Sequence, residues 1–270
     1  MEKGKRFKEK RKNNKTRIII LSIILVISII MIAINLYYQK SIKNDKELQG
    51  ILNDNSQAQN TETEIQPQED TKTERMIMLE ELQKENSDII GWLEIPNSNI
   101  SYPVLQGKDN NYYVNHNYKK EYSKNGSLFL DKDYDWTLPS TNLLIHGHNN
   151  RGTNEMFCGL MDYKNEEYYK THPTIRFTTN QEDAEYEIIS VFLSRVYYKS
   201  EKNVFRYYYF INAENEQEFN EYVENSKKAS LYDIEATATY GDQLMTLSTC
   251  EFSQEDGRLA VVARKKCNRD

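Results

Sequence analysis

The chain has 270 residues, 20 of them tyrosine, and a formal net charge of −6. That length suits one medium domain with appendages and excludes two full domains. Nine Lys/Arg against two glutamates fall within Met1–Arg17, so the remainder is strongly acidic, keeps no basic stripe, and excludes nucleic acid as a partner of the main domain.

Taken in chain order, the basic head of residues 1–17 leads into Ile18–Ile34, which is Ile, Leu, Val, Met and Ala broken only by Ser22 and Ser28. With Leu36, Tyr37 and Tyr38 the run reaches roughly twenty residues, enough for a helix to cross about 30 Å of hydrocarbon. Both serines can hydrogen-bond back into such a helix. Dense Lys/Arg before the run and tyrosines at its far edge match the positive-inside rule and an interfacial aromatic belt. The expectation is a transmembrane anchor at 18–38 in the cell membrane, single-pass, with a cytoplasmic amino terminus and an extracellular remainder. A cleaved signal peptide fits less well, because the apolar core is long and no small-x-small site comes after it.

Residues 39–75 are polar and poor in large apolar side chains, so they read as a stalk that cannot fold alone. The domain proper is expected over 76–270. Met78, Leu79, Leu82, Ile89 and Ile90 recur at helical spacing, with Asn86-Ser87-Asp88 as a break. GWLEIPNSNISYPVLQG then reads as short strands parted by proline and asparagine turns. Asn110–Lys124 reads as a loop or short helix, Ser127–Asp131 and Asn142–Ile145 as strands. Asp131, Asp133 and Asp135 resemble the start of a calcium loop, but Trp136 and Asn142 stand where its glycine and glutamate belong, so no metal is expected there.

Glu155–Tyr169 reads as an amphipathic helix that packs through Met156, Phe157, Leu160 and Met161 and takes in Cys158. Thr174–Thr179 and Glu185–Val196 alternate as strands around a polar turn. Phe205–Phe210 is an aromatic run that can line a groove. Ala213–Ser226 reads as an amphipathic helix using Phe219, Tyr222 and Val223. Ala236–Tyr240 comes next, and then a final pair of strands, Gln243–Cys250 and Leu259–Ala263, joined by an acidic loop closed at Gly257. Many strands with helices between them predict a β-rich barrel or sandwich rather than a βαβ fold.

Two places in this pattern carry chemistry. In an antiparallel hairpin the last residue of one strand lies near the first of the next, so Cys250 and Arg258 are expected to be neighbours. A fixed positive charge favours a thiolate and can hold a developing oxyanion. The other place is His146-Gly147-His148-Asn149-Asn150 at the end of the Asn142–Ile145 strand. A polar turn, a metal site short of a third ligand, and a general acid/base histidine meeting Cys250 are its three readings. The cysteines at 158, 250 and 267 are too few for a disulfide framework and leave one unpaired; Cys267 sits in a charged tail and reads as solvated.

Thr246-Leu247-Ser248-Thr249-Cys250 resembles the TLxTC motif of sortases. Arg258 stands eight positions on, and Gly147-His148 ends an earlier strand. The helix-led entry into GWLEIP and the helix at Ala213–Ser226 resemble the class B branch, and no DPW lid of the pilus-building branch is present. The resemblance covers about Leu79–Lys266. It implies an eight-stranded β-barrel, mostly β with added helices, one helix leading in and one inserted before the last two strands. Carried over by position, Cys250 is the nucleophile, His148 the general acid/base, and Arg258 the stabiliser of the tetrahedral intermediate.

The activity so implied is a cysteine transpeptidase. It cleaves a C-terminal sorting signal of a secreted protein, NPQTN-like or LPXTG-like, after its threonine, and joins the resulting acyl group to an amine of the peptidoglycan precursor. No cofactor is implied. Ser248, two residues before Cys250 on the same strand face, and Tyr208 in the aromatic run are candidate substrate-binding residues; a strand hydroxyl bonded to its neighbour and plain aromatic packing are the alternatives. Rival functions are a thiol endopeptidase, in which water takes the acyl group, and an inactive peptide-binding module.

Overall fold

The computed structural model describes residues 20–33, 35–36, 73–150 and 154–266. The chain divides into two compact units, Met1–Gln66 and Pro67–Asp270. In the first, residues 20–33 form a helix, α1, in which the Ser28 hydroxyl donates to the Ile24 carbonyl at 2.9 Å. Among the described residues no helix is long and apolar enough to cross a membrane. The expected single-pass localisation, with its cytoplasmic amino terminus and extracellular remainder, is therefore overturned. The basic head, the stalk from 39 to 72 and Cys267 lie outside the described residues.

The second unit opens on α2 (Glu74–Glu85). Thr73 caps it by accepting from the Met76 amide, and Met76, Leu79 and Leu82, three apart, form its buried stripe. The helix stops at Asn86, whose side-chain amide donates to the Tyr118 carbonyl at 2.7 Å and the Tyr113 hydroxyl at 3.1 Å. Ile89 and Ile90, in step with the helix by spacing, instead begin β1 (Ile89–Glu94), because the Asn86–Asp88 break resets the period.

Seven further strands complete the set: β2 (Ser101–Leu105), β3 (Leu128–Leu130), β4 (Asn142–His146), β5 (Thr174–Thr178), β6 (Asp183–Arg195), β7 (Leu244–Cys250) and β8 (Gly257–Lys265). They close into a barrel in the order β1-β2-β3-β4-β7-β8-β6-β5. The eight-stranded barrel implied by the resemblance is therefore the fold, and the sandwich is not. Among the described residues two α-helices lie between β4 and β7: a short one, α3 (Glu166–Thr171), capped by Asn165, and the inserted helix α4 (Glu216–Ala229), with Phe219, Tyr222, Val223 and Ser226 buried.

One segment differs from the pattern read in the sequence. Phe157–Lys164 is a 3₁₀ helix rather than an α-helix; Phe157, Leu160 and Tyr163 recur every third residue, the spacing that a three-residue turn brings onto one face. Ala236–Tyr240, left without an assigned element by its sequence, forms no helix or strand. The Lys227 ammonium, in the last turn of α4, donates to the carbonyls of Ile234 and Ala236, which ties this backbone to the helix instead of a sheet.

Most neighbouring strands run antiparallel, but β4 and β7 are parallel, with Asn142 opposite Leu244 through to His146 opposite Ser248. Parallel neighbours in register finish at the same end of the barrel. The segments after His146 and after Ser248 must therefore emerge side by side. β8 begins at that same end, antiparallel to β7, with Arg258 opposite Cys250.

Candidate active site

Alternate residues of β7 face out of the barrel towards α4 and the 3₁₀ turn Tyr207–Tyr209. Thr246 Oγ1 donates to Asn142 Oδ1 at 2.9 Å, which leaves it to accept from the Tyr222 hydroxyl at 2.7 Å. Two residues on, the Ser248 and Tyr207 hydroxyls share a hydrogen bond of 2.7 Å. Both pairs are buried, and each strand hydroxyl is matched by a phenol from the covering layer. Burial pushes the Tyr207 phenol up to about 12, against the Ser248 bond and the nearby charge of Arg258. The next position on this face is Cys250, where the cover ends and the side chain is only half-buried.

The loop after β4 is laced to the end of β7. The Gly147 amide donates to the Ser248 carbonyl at 3.2 Å, and the Thr249 hydroxyl donates to the Gly147 carbonyl at 2.7 Å. Gly147 has to be glycine, since a Cβ there would lie 2.4 Å from the Leu128 side chain and 2.6 Å from the Phe157 ring. His148 comes directly after it. Its Nε2 lies 2.7 Å from the Val114 carbonyl, an acceptor only, so that nitrogen carries the proton and the neutral ring keeps Nδ1 as its lone-pair nitrogen. His146 serves elsewhere: its Nε2 lies 3.2 Å from Asp131, and its ring packs on Phe129.

Arg258 is half-exposed, and both hydrogen bonds described for it use Nη1, to the carbonyls of Asp256 (3.2 Å) and Gly257 (2.9 Å). These contacts hold the guanidinium along the hairpin loop beside Cys250. The first loop residue, Glu251, is buried and pairs with the Lys164 ammonium. Its burial opposes the charge, but Lys164 together with the hydroxyl and amide of Ser253 outweighs burial and holds the carboxyl down at about 2. A carboxyl depressed in the folded state adds stability that is fully present above its ordinary value near 4.5 and is lost as pH falls towards 2. The contribution is about 2 kcal/mol, allowing for a lysine exposed to solvent. Thermal unfolding monitored from pH 5 to pH 2.5 is expected to fall less steeply in Glu251→Gln than in the parent; parallel curves would contradict this.

Of the positions singled out in the sequence, Cys250 and Arg258 face each other across β7 and β8, and His148 stands on the loop tied to that strand end. Ser248 lies beneath, bonded to Tyr207. Tyr208 is turned to the neighbouring loop, its hydroxyl accepting from the Tyr197 amide at 2.9 Å. Asp131, Asp133 and Asp135 form an acidic turn whose carboxylates accept from nearby groups: Asp131 from the Asp133 amide and Asn110, Asp133 from Lys132, and Asp135 from the amide and hydroxyl of Thr137. Two contacts were not legible in the sequence: the Val114 carbonyl on His148 and the Lys164–Glu251 pair, each joining residues far apart in the chain with no motif at either end.

The sortase domain model matches residues 93–266. The chain belongs to the sortase family. Curated sortase B proteins of Staphylococcus aureus and Listeria monocytogenes are 32% and 34% identical to it, each over 68% of this chain and over 73% and 72% of their own lengths. A solved Staphylococcus aureus sortase B–substrate complex superposes with a TM-score of 0.63 at 30% identity, covering 72% of this chain and 86% of that one. A sortase B structure complexed with triglycine superposes equally well, with a TM-score of 0.63 at 30% identity, over 72% of this chain and 87% of its own. Among sortases, which are cysteine transpeptidases, the likeness is to class B. The eight-stranded barrel is thus the family fold, with its helix-led entry and its helix before the last hairpin.

Proposed function

We propose that residues 76–270 form the catalytic domain of a transpeptidase that cuts a C-terminal sorting signal after its threonine and passes the acyl group to a cell-wall amine. Cys250 gives its thiol proton to His148 and attacks the threonine carbonyl, and Arg258 donates to the oxyanion that forms. His148 protonates the departing amine, leaving a thioester between the substrate's threonine and Cys250. An incoming amine then attacks the thioester, gives up a proton to His148 and releases the thiol, so one amide bond is broken and another made. The observation that carries this reading is the parallel β4–β7 pair, which lets one barrel end present both the His148 loop and the Cys250–Arg258 rung. The neighbours solved with a substrate and with triglycine support a peptide donor and an amine acceptor.

The test is incubation with pentapeptides of NPQTN and LPXTG type plus triglycine, read by mass spectrometry. A threonyl–glycine ligation product is expected. Release of the free acid alone, whatever the amine concentration, would make the protein an endopeptidase. Peptide binding without cleavage would make it a binding module. Arg258→Lys is expected to lower turnover about 100-fold with little change in KM, because a point charge does not reproduce the planar donor fork in the transition state. Full activity in Arg258→Ala would remove the arginine from the mechanism.

A further inference from the structure

The backbone ladder between β4 and β7 ends with the Gly147 amide on the Ser248 carbonyl. Continued by the rule of parallel strands, the next rung would run from the Asn149 amide to the Cys250 carbonyl. The backbone does not supply it, because Asn149 has left β7 and bridges Met156 instead. The side chain does: Asn149 Nδ2 donates to the Cys250 carbonyl at 2.9 Å. An asparagine amide has one end that donates and one that accepts, so its orientation must be set by its partner at the other end. There the Cys158 thiol, a donor, lies 3.3 Å from Asn149 Oδ1 and 3.0 Å from the Asn150 carbonyl. The Phe157 amide, one residue earlier, donates to the His148 carbonyl at 2.9 Å.

We infer that Asn149 is a positioning residue for the reaction, its side chain carrying the β4–β7 ladder one rung past the backbone and so setting the spacing between His148 and Cys250, with Cys158 holding the amide the right way round. The chain can leave the sheet to form the histidine loop only if something else ties down the nucleophile's peptide unit. Asn149 does both, being adjacent to His148 in sequence and bonded to Cys250 in space. The inference rests on the proposed roles of those two residues. It also gives Cys158 a task that its place in an apolar segment did not indicate.

The decisive variant is Asn149→Asp, which keeps the shape but sets a carboxylate oxygen against the Cys250 carbonyl. Turnover of the sorting-signal peptide is expected to fall about tenfold or more with KM within about twofold, since small misplacement of a reacting group is costly in kcat. Iodoacetamide labelling of Cys250, resolved from the other cysteines by peptide mass spectrometry, is expected to slow as well, while the unfolding temperature stays close to the parent. Cys158→Ser, which retains a donor, is expected to behave as the parent. Cys158→Val, similar in shape without a donor, is expected to lose about threefold.

Parent-like turnover in Asn149→Asp, in a preparation that Cys250→Ala inactivates, overturns the inference and leaves the transpeptidase reading intact. If Cys250→Ala retains turnover, that reading falls instead, and labelling decides: a slowed rate in Asn149→Asp supports the positioning role and an unchanged rate overturns it. Should Asn149→Asp fail to fold, the Cys158 pair decides, identical turnover in the serine and valine variants overturning the inference and a deficit confined to valine supporting it.

Discussion

Cys250→Ala and His148→Ala are each expected to lose turnover by roughly 10⁴-fold or more, the scale on which acyl-transfer enzymes suffer when a nucleophile or its partner base is removed. The two losses have different physical origins. Without the sulfur no thioester can form, yet the surroundings of residue 250 are otherwise intact, so Cys250→Ala is expected to bind a sorting-signal peptide as tightly as the parent in calorimetric titration. The histidine has two jobs that a third variant separates. Its Nε2 is bonded to the Val114 carbonyl, and a glutamine amide can make that same bond. His148→Gln therefore preserves the anchoring contact while removing the group that takes and returns a proton. It is expected to be as inactive as the alanine variant; recovery to within about tenfold of the parent would show that the ring matters for position and not for proton transfer.

Gly126→Ala is expected to damage both stability and turnover, although residue 126 carries no functional group. Gly126 has φ +58°, and a Cβ there would lie 2.4 Å from the Val114 carbonyl oxygen and 2.6 Å from that of Tyr113. Both oxygens are backbone and cannot swing aside as a side-chain tip would. The first is the acceptor that pins His148, and the second accepts from the Ser127 amide at 3.0 Å. The substitution should cost about 3 kcal/mol, left-handed backbone strain and the enforced shift together. Urea unfolding measures the first effect; single-turnover acylation, at a temperature where the variant is folded, measures the second. Gly241 is the internal control: its φ is +101° and nothing lies within 4 Å of a Cβ placed there. Gly241→Ala is expected to lose about 1 kcal/mol and no catalytic rate. Equal catalytic loss in both variants would show that the Val114 carbonyl has no special bearing on the imidazole.

The sequence is most readable where one local rule suffices. The Glu251–Gly257 turn between two strand-like runs is enough to pair Cys250 with Arg258, because hairpin register is set by loop placement. The apolar spacing of Phe219, Tyr222 and Val223 places α4. It is least readable where a rule has two outcomes. A row of Phe157, Leu160 and Tyr163 fits one face of a 3₁₀ turn better than an α-helix, but a broader apolar stripe through Met156 and Met161 points to the α-helix. Ile89 and Ile90 fall in phase with α2 by chance of count, and only the cap at Asn86 shows that the helix has already ended. The apolar run after Arg17 meets the length rule for a span, whereas the helix described within it falls short of one. The Val114–His148 contact and the Asn149 rung depend on strand order around the barrel, which no short motif encodes.

Because the ring is completed by the β1–β5 pairing, every strand has a neighbour on either side. The pairing of β6 with β5 stops at Asp183–Glu187, and beyond it the Leu231 amide takes the Val191 carbonyl, so little sheet margin is left for a stretched peptide to join as an extra strand. What docks against Cys250 is then recognised mainly through its own side groups and through loop contacts. For the peptide donor proposed above, selectivity for particular residues would then be favoured by the topology before any pocket is shaped.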